Sequence, residues 1–585
     1  MTCHVGIAYG HTATVAVVQD SKLVFCQSEE RLSRIKGSAG FPHRTLRYVL
    51  DGICSPGEVD TVTLFQESMT GFVHLHNTEF KDHEIGSYLT PADLVRLSDI
   101  EPYLTNRELV ERWRAADRDY FAELDASPDL NAASLEYFRQ ATGAEPARIR
   151  RVNHHDAHAL SCVPFLFPKR SPTLIFTLDA EGDGLCATVS IFENGHLRRI
   201  AEVPRVSSIG HVYMTVTGLL GMRQGEHEYK VMGLSAYAKR DSFAPLLARF
   251  RELLWVDDDG SWKNSYGIPA VRNYLLQEAV KLKRFDQVAG ALQAFAEEMI
   301  TKWIQAWVRK TGVGDVACAG GVFMNVKVNK EVAQLADVTS LVVTPSCGDE
   351  STAIGAAVHG SLSASPELQP VRGLDLGRAW TDQEAEDAFG AANVTARYEI
   401  RRPENINHAV ATLLAAGEVV ARCSGRMEFG ARALGNRSIL ADPRSERMIG
   451  FINDAVKNRD FWMPFAPSIL AEATREYLVN PKNIDSPFMM LAYDSTQRGR
   501  RDLPAAMHRQ DFTMRAQLVS REGSPEYHDL ISRFGALTGV RGVLNTSLNI
   551  HGEPIVGSPA DAIRTMDSSG LRHAAIGSFL LTKRV

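Results

Sequence analysis

Two histidines, His154 and His158, stand four residues apart in Asn153-His154-His155-Asp156-Ala157-His158-Ala159. On a helix this spacing stacks two imidazoles on one face, one turn apart, where both reach a single divalent cation. Two carboxylates are placed to complete the set. Asp179 ends the apolar run Leu174-Ile175-Phe176-Thr177-Leu178, which reads as a buried strand. Asp349 follows a second such run, Leu341-Val342-Val343, in a loop predicted to open a helix over 351–359. Two imidazoles with carboxylates form a mixed nitrogen and oxygen site suited to Fe(II), Mn(II) or Zn(II), and too rich in nitrogen for calcium.

A second group of residues is built for anions. Gly425-Arg426-Met427-Glu428-Phe429-Gly430-Ala431-Arg432-Ala433-Leu434-Gly435-Asn436-Arg437-Ser438 follows the apolar strand expected at 419–421. Arginines and glycines at this density are poor core material, whereas guanidinium forks pair bidentately with phosphate oxygens. Lys457, Arg459 and Arg515 add charge, and Asn545-Thr546-Ser547-Leu548-Asn549 offers neutral hydrogen-bonding groups at a strand end. In the first half, Val316-Ala317-Cys318-Ala319 runs into Gly320-Gly321, a turn without Cβ atoms that lets backbone approach a nucleotide.

The elements that must hold these residues follow from periodicity. Residues 4–24 read as strand, glycine turn, strand, polar turn, strand, and 173–200 repeat the plan, with Thr-Val at 14–15 and again at 188–189. A duplicated β-meander of this kind turns two polar loops toward one cleft, and His11 sits in the first of them. Helices are expected at 42–50, at 106–124 and near 280–311. Residues 66–150 read as a mostly helical insertion without legible chemistry. The loop-like 366–382 marks a boundary between a first domain, 1–365, and a second, 380–585.

Composition narrows the class. The chain has 585 residues, 44% hydrophobic and 23% charged, with a net charge of −6. That is too long for one core, and it carries no basic footprint for nucleic acid. No apolar run reaches membrane-spanning length and the first residues lack signal-peptide form, so a cytoplasmic location is expected. Eight scattered cysteines without a Cys-x-x-Cys pair read as reduced thiols.

Together, 425–444, 545–556, 29–36, the His154/His158 pair, 319–325 and 347–357 resemble the signatures of the NodU/CmcH family of ATP-dependent O-carbamoyltransferases. Matching blocks run from 5 to 584, most sparsely across the insertion. The resemblance implies an α/β architecture: an actin-like ATPase domain of duplicated ribonuclease-H-like halves, then a YrdC-like α/β domain. It implies that the second domain makes carbamoyladenylate from carbamoyl phosphate and ATP with Mg2+. The first would then pass the carbamoyl group to a hydroxyl of a small natural-product or sugar acceptor beside Fe(II) or another divalent transition metal. His154, His158, Asp179 and Asp349 would be the ligands and His11 the general base. Lys36, Gly320, Gly321 and Asn325 would contact nucleotide. Arg426, Arg432, Arg437, Arg459, Arg515 and Asn545 would hold carbamoyl phosphate and ATP. A monomer or homodimer without nucleic-acid or membrane partners is expected.

Two departures from the family pattern stand out: Ala431 where proline is usual, and Met463 where a basic residue usually precedes Pro-Phe-Ala-Pro. A tRNA threonylcarbamoyl transferase would be the nearest different reading, opposed by the fused arginine-rich domain and the lack of basic excess. A non-catalytic nucleotide sensor would need neither His11 nor a full ligand set.

Overall fold

The computed structural model describes residues 2–69, 72, 73, 75, 94–166, 172–457 and 460–584. They form two compact units, Met1–Val24 with Ala39–Pro370, and Phe25–Ser38 with Val371–Val585.

Apart from the 25–28 end of one strand, the first unit carries two five-stranded sheets of the same plan. One holds β1 (Cys3–Ala8), β2 (Thr14–Gln19), β3 (Lys22–Ser28), β4 (Thr61–Leu64) and β5 (Ile149–Arg151), in the order β3-β2-β1-β4-β5. The other holds β6 (Thr173–Gly182), β7 (Leu185–Glu193), β8 (His196–Pro204), β9 (Asp315–Ala319) and β10 (Ser340–Val343), in the order β10-β9-β6-β7-β8. In each, the first strand is antiparallel to the second and parallel to the fourth. This repeated order is the duplicated ribonuclease-H-like plan of actin-like ATPases, and its meanders are the two read from the sequence. Val5, Ile7, Val15, Val17, Leu174 and Phe176 are buried, as suits central strands covered on both faces.

Helices close the layers. His154–Ser161 carries the paired histidines, and Thr352–Ala364 follows the Asp349 loop. Small residues allow this second helix to approach both neighbours closely. A Cβ on Gly6 would lie 2.0 Å from the Ala353 carbonyl oxygen, and one on Gly355 would lie 1.7 Å from that of Ala157. The helix expected near 280–311 is Phe285–Thr311, and a separate helix, Pro269–Val280, precedes it, the two parted where Lys281 is extended and Leu282 left-handed. Within the insertion the described residues form Leu97–Thr105, Arg107–Ala126 and Pro128–Thr142, the second capped by Asn106 accepting from the Leu109 N–H.

The second unit is an α/β domain on an eight-stranded sheet. Its order is Tyr398–Arg401, Phe579–Lys583, His573–Ile576, Val420–Cys423, Arg437–Ala441, Gly542–Ser547, Ala466–Leu470, Gln517–Val519. Ala421, Ile439, Leu544, Ile563 and Ile576 share its core. The strand before the arginine loop is Val420–Cys423, and it runs antiparallel to the strand the loop leads into.

Candidate functional site

His154, His158, Asp179 and Asp349 converge in the first unit, each offering a ligand atom within 4.8 Å of the others. The two Nε2 atoms lie 3.1 Å apart. Asp179 Oδ2 is 3.3 Å from His154 Nε2 and 3.0 Å from His158 Nε2. Asp349 Oδ1 is 3.8 and 3.5 Å from the same atoms. Donors held by one ion at about 2.0–2.2 Å stand about 3.0–3.5 Å apart, so the set fits a single divalent transition metal. The electrostatics agree. Burial pushes the Asp179 carboxyl up, but hydrogen bonds from both histidines outweigh it and hold it well below the usual range. Burial pushes His158 down, and the two carboxylates reverse this, raising it to about 9. A divalent cation meets the same demand in place of a proton.

The local sequence sets this geometry. Asn153 caps the histidine helix, its Oδ1 accepting from the His155 N–H at 3.1 Å. His155 points elsewhere, to the Thr177 hydroxyl at 2.8 Å, and burial depresses its pKa well below the ordinary value. Gly182 leaves room for the His154 ring, since a Cβ there would fall 2.1 Å from Cδ2. The Phe65 ring meets His154 edge-on at 5.7 Å.

The glycine turn adjoins the same strand. Gly320, with φ +96, has no space for a Cβ, which would sit 2.4 Å from the Leu178 carbonyl oxygen. A Cβ on Gly321 would lie 3.0 Å from Asp179 Oδ1. Asn325 shapes the backbone here. Its Oδ1 caps Val326–Gln334 through the Val328 N–H, and its amide exchanges hydrogen bonds with Gln293 at 2.8 and 3.1 Å. His11 lies in the β1–β2 turn, where Nδ1 is 3.0 Å from the Thr12 hydroxyl. Burial raises the pKa of Glu228 and of Glu350, and the nearby His11 offsets this in part at both. Neither glutamate carries a distinct sequence signal. Glu350 is legible only as the acid beside Asp349. Lys36 belongs to the segment grouped with the second unit.

In the second unit the arginine loop is organised by an acid. Glu428 is buried, and its Oε1 accepts the N–H groups of Leu434, Asn436 and Arg437 at 2.8, 3.2 and 3.0 Å. Arg437 is also buried, donating to the carbonyls of Ser424, Asn436 and Gly425. Arg426 donates to the carbonyls of Gly377 and Leu376. Asn545 donates to the Ala433 carbonyl and the Ser468 hydroxyl, both at 3.0 Å. These three side chains therefore build the loop, while Arg432 and Arg515 are half-buried. Arg459 lies outside the described residues. Asp375, which sequence reasoning missed, accepts from Asn436 Nδ2 at 2.8 Å. Burial, then the nearby Glu428 charge, lifts its pKa to about 6. A lone glutamate in an arginine-rich loop is the available signal for Glu428; nothing local marks Asp375.

Residues 2–358 match the model of the carbamoyltransferase N-terminus, and residues 411–583 that of the carbamoyltransferase C-terminus. The chain belongs to the carbamoyltransferase family. It is an enzyme of that class acting on a small-molecule acceptor. Among relatives, nodulation protein NolNO of Sinorhizobium fredii is 30% identical over 98% of this chain and 79% of its own length. The 3'-hydroxymethylcephem-O-carbamoyltransferase of Amycolatopsis lactamdurans is 31% identical over 44% of this chain and 47% of its own. Among solved structures, the activator of the 2-hydroxyisocaproyl-CoA dehydratase from Clostridium difficile with bound ADPNP is 12% identical. It covers 62% of this chain and 96% of its own, with a TM-score of 0.30. The fold of this carbamoyltransferase rests on its strand order. Among the described residues no helix is long and apolar enough to cross a membrane.

Proposed function

We propose that this carbamoyltransferase uses carbamoyl phosphate and ATP to make carbamoyladenylate in its second, YrdC-like unit, and transfers the carbamoyl group to an acceptor hydroxyl in its first. The observation that carries the reading is the convergence of two buried histidines and two aspartates on one point of an actin-like unit, in a chain whose other unit presents an arginine loop. In the first stage carbamoyl phosphate loses phosphate to water. The resulting carbamate displaces pyrophosphate from ATP. Arg432 and Arg515 pair with the anionic oxygens, and Glu428, Arg426, Arg437 and Asn545 hold the loop in shape. In the second stage the acceptor oxygen bonds to the carbamoyl carbon, the carbon–oxygen bond to AMP breaks, and His11 takes the hydroxyl proton. Gly320 and Gly321 let the backbone lie against the nucleotide. His154, His158, Asp179 and Asp349 would hold an Fe(II)-type metal, whose Lewis acidity polarises the carbamoyl oxygen. The acceptor is proposed to be a hydroxylated natural product or sugar.

Incubation with carbamoyl phosphate, ATP and a pool of hydroxylated metabolites tests this. A product heavier by one carbamoyl group, absent without either co-substrate, is expected. ATP turnover without such a product, or a threonylcarbamoylated tRNA, would overturn it.

A further inference from the structure

The turn between β6 and β7 does more than reverse the chain. Asp183 occupies it with φ 48, a left-handed conformation that aspartate and asparagine tolerate better than most residues. Its carboxylate gathers three backbone N–H groups from two other parts of the first unit. Oδ2 accepts from His154 at 2.7 Å and from Glu67 at 3.1 Å, and Oδ1 accepts from Ser68 at 2.9 Å. His154 is both the first residue of the histidine helix and a ligand. Glu67 and Ser68 begin the insertion.

The same junction is tied at further points. Glu67 Oε2 faces Asn153 Nδ2 at 3.5 Å, so the helix cap also touches the start of the insertion. Arg199 on β8 donates to Asn153 Oδ1 at 2.6 Å and pairs with Asp156 at 2.7 Å. Beyond the turn, Arg205 pairs with Glu181 at 3.0 Å and with Asp117, which lies on the insertion helix Arg107–Ala126. Gly182, beside Asp183, is packed on the His154 ring.

We propose that Asp183 is a positioning residue that fixes the first turn of the histidine helix and couples the insertion to the metal centre. It touches no reacting atom. Its negative charge at the helix N-terminus holds the His154 backbone, and thereby the ring, in the pose that points Nε2 at Asp179 and Asp349. Because the same carboxylate accepts from Glu67 and Ser68, ordering at the metal transmits to the base of the insertion, and ordering of the insertion transmits back. The inference rests on the metal reading of the four ligands, not on the identity of the acceptor.

Co(II) is the probe. Asp183→Asn keeps the left-handed backbone and one acceptor oxygen but removes the charge. The variant should bind Co(II) about 10-fold or more weakly in chelator competition, the scale at which residues supporting metal ligands act. In the unmutated protein, hydrogen exchange at the Glu67 and Ser68 amides should slow on adding Co(II); in Asp183→Asn it should not. The exchange measurement on the unmutated protein stands even if the variant folds poorly. Equal Co(II) affinity in the two proteins, or exchange at Glu67 and Ser68 indifferent to Co(II) in the unmutated one, overturns the proposal. Failure of the unmutated protein to bind Co(II) overturns the metal reading itself, and this inference with it.

Discussion

At the scale of single residues, the four proposed ligands are separable from the core that carries them. His154→Ala and Asp349→Asn are each expected to lose bound metal and transfer activity while the protein stays folded. Asp349 opens the short 3-10 turn Asp349–Ser351, and the His154 ring faces the two carboxylates. Elemental analysis of the purified variants checks this, and full occupancy in both would remove the site. Gly182→Ala reaches the same point by sterics: its Cβ would fall 2.1 Å from the His154 ring, so the ring must leave its pose. Metal content should drop as far as in His154→Ala, although no ligand is deleted. The histidine pair, Asp179 and Asp349 are legible in the sequence because each carries a local signal: helical spacing, a carboxylate at the end of an apolar run, or one in the polar segment between such a run and a helix. Gly182 and Asp183 are not, because they act through groups distant in sequence. Asn325 is legible by its type, whereas its bonds to Gln293 and to the start of Val326–Gln334 are not.

At the scale of elements, the arginine loop is held by hydrogen bonds along the stretch that precedes the second unit's helix Asp382–Ala391. The Phe429 N–H donates to the Leu374 carbonyl at 2.9 Å, the Gly377 N–H to the Met427 carbonyl at 2.8 Å, and the Met427 N–H to the Arg378 carbonyl at 3.1 Å. Asp375 sits within this strap, its pKa raised to about 6 where an unfolded aspartate has about 3.9. Between those values the folded protein binds the extra proton, so the stability this group supports is present below about pH 4 and lost as pH rises through about 6. Asp375→Asn preserves the oxygen that accepts from Asn436 and removes the buried charge. The variant should be more stable at pH 7 by on the order of 1–2 kcal/mol, allowing for residual hydration, and equal to the parent below about pH 4. Urea midpoints across this range read the difference; a pH-independent difference would assign the effect to packing. The loop-like character of 366–382 is legible from its composition. Its bonding to the arginine loop is not, since main-chain pairing between irregular segments leaves no periodicity.

At the scale of the molecule, the duplicated meanders announce the first unit, because strand, turn and strand recur with the same residue types. The membership of 25–38 is not legible. A charged stretch does not say which core it joins, and here Arg31 donates to the Gly430 carbonyl and Arg34 to those of Pro554 and Ile555. The central proposal divides one reaction between two sites, and a single assay reads that division without knowledge of the acceptor: pyrophosphate release from ATP that depends on carbamoyl phosphate. The unmutated enzyme and His11→Ala should both release it. Arg432→Ala should not, since losing a charge-assisted, bidentate contact costs on the order of 2–4 kcal/mol. Release at the unmutated rate from Arg432→Ala, together with its loss in His11→Ala, would contradict the assignment and place activation in the first unit instead.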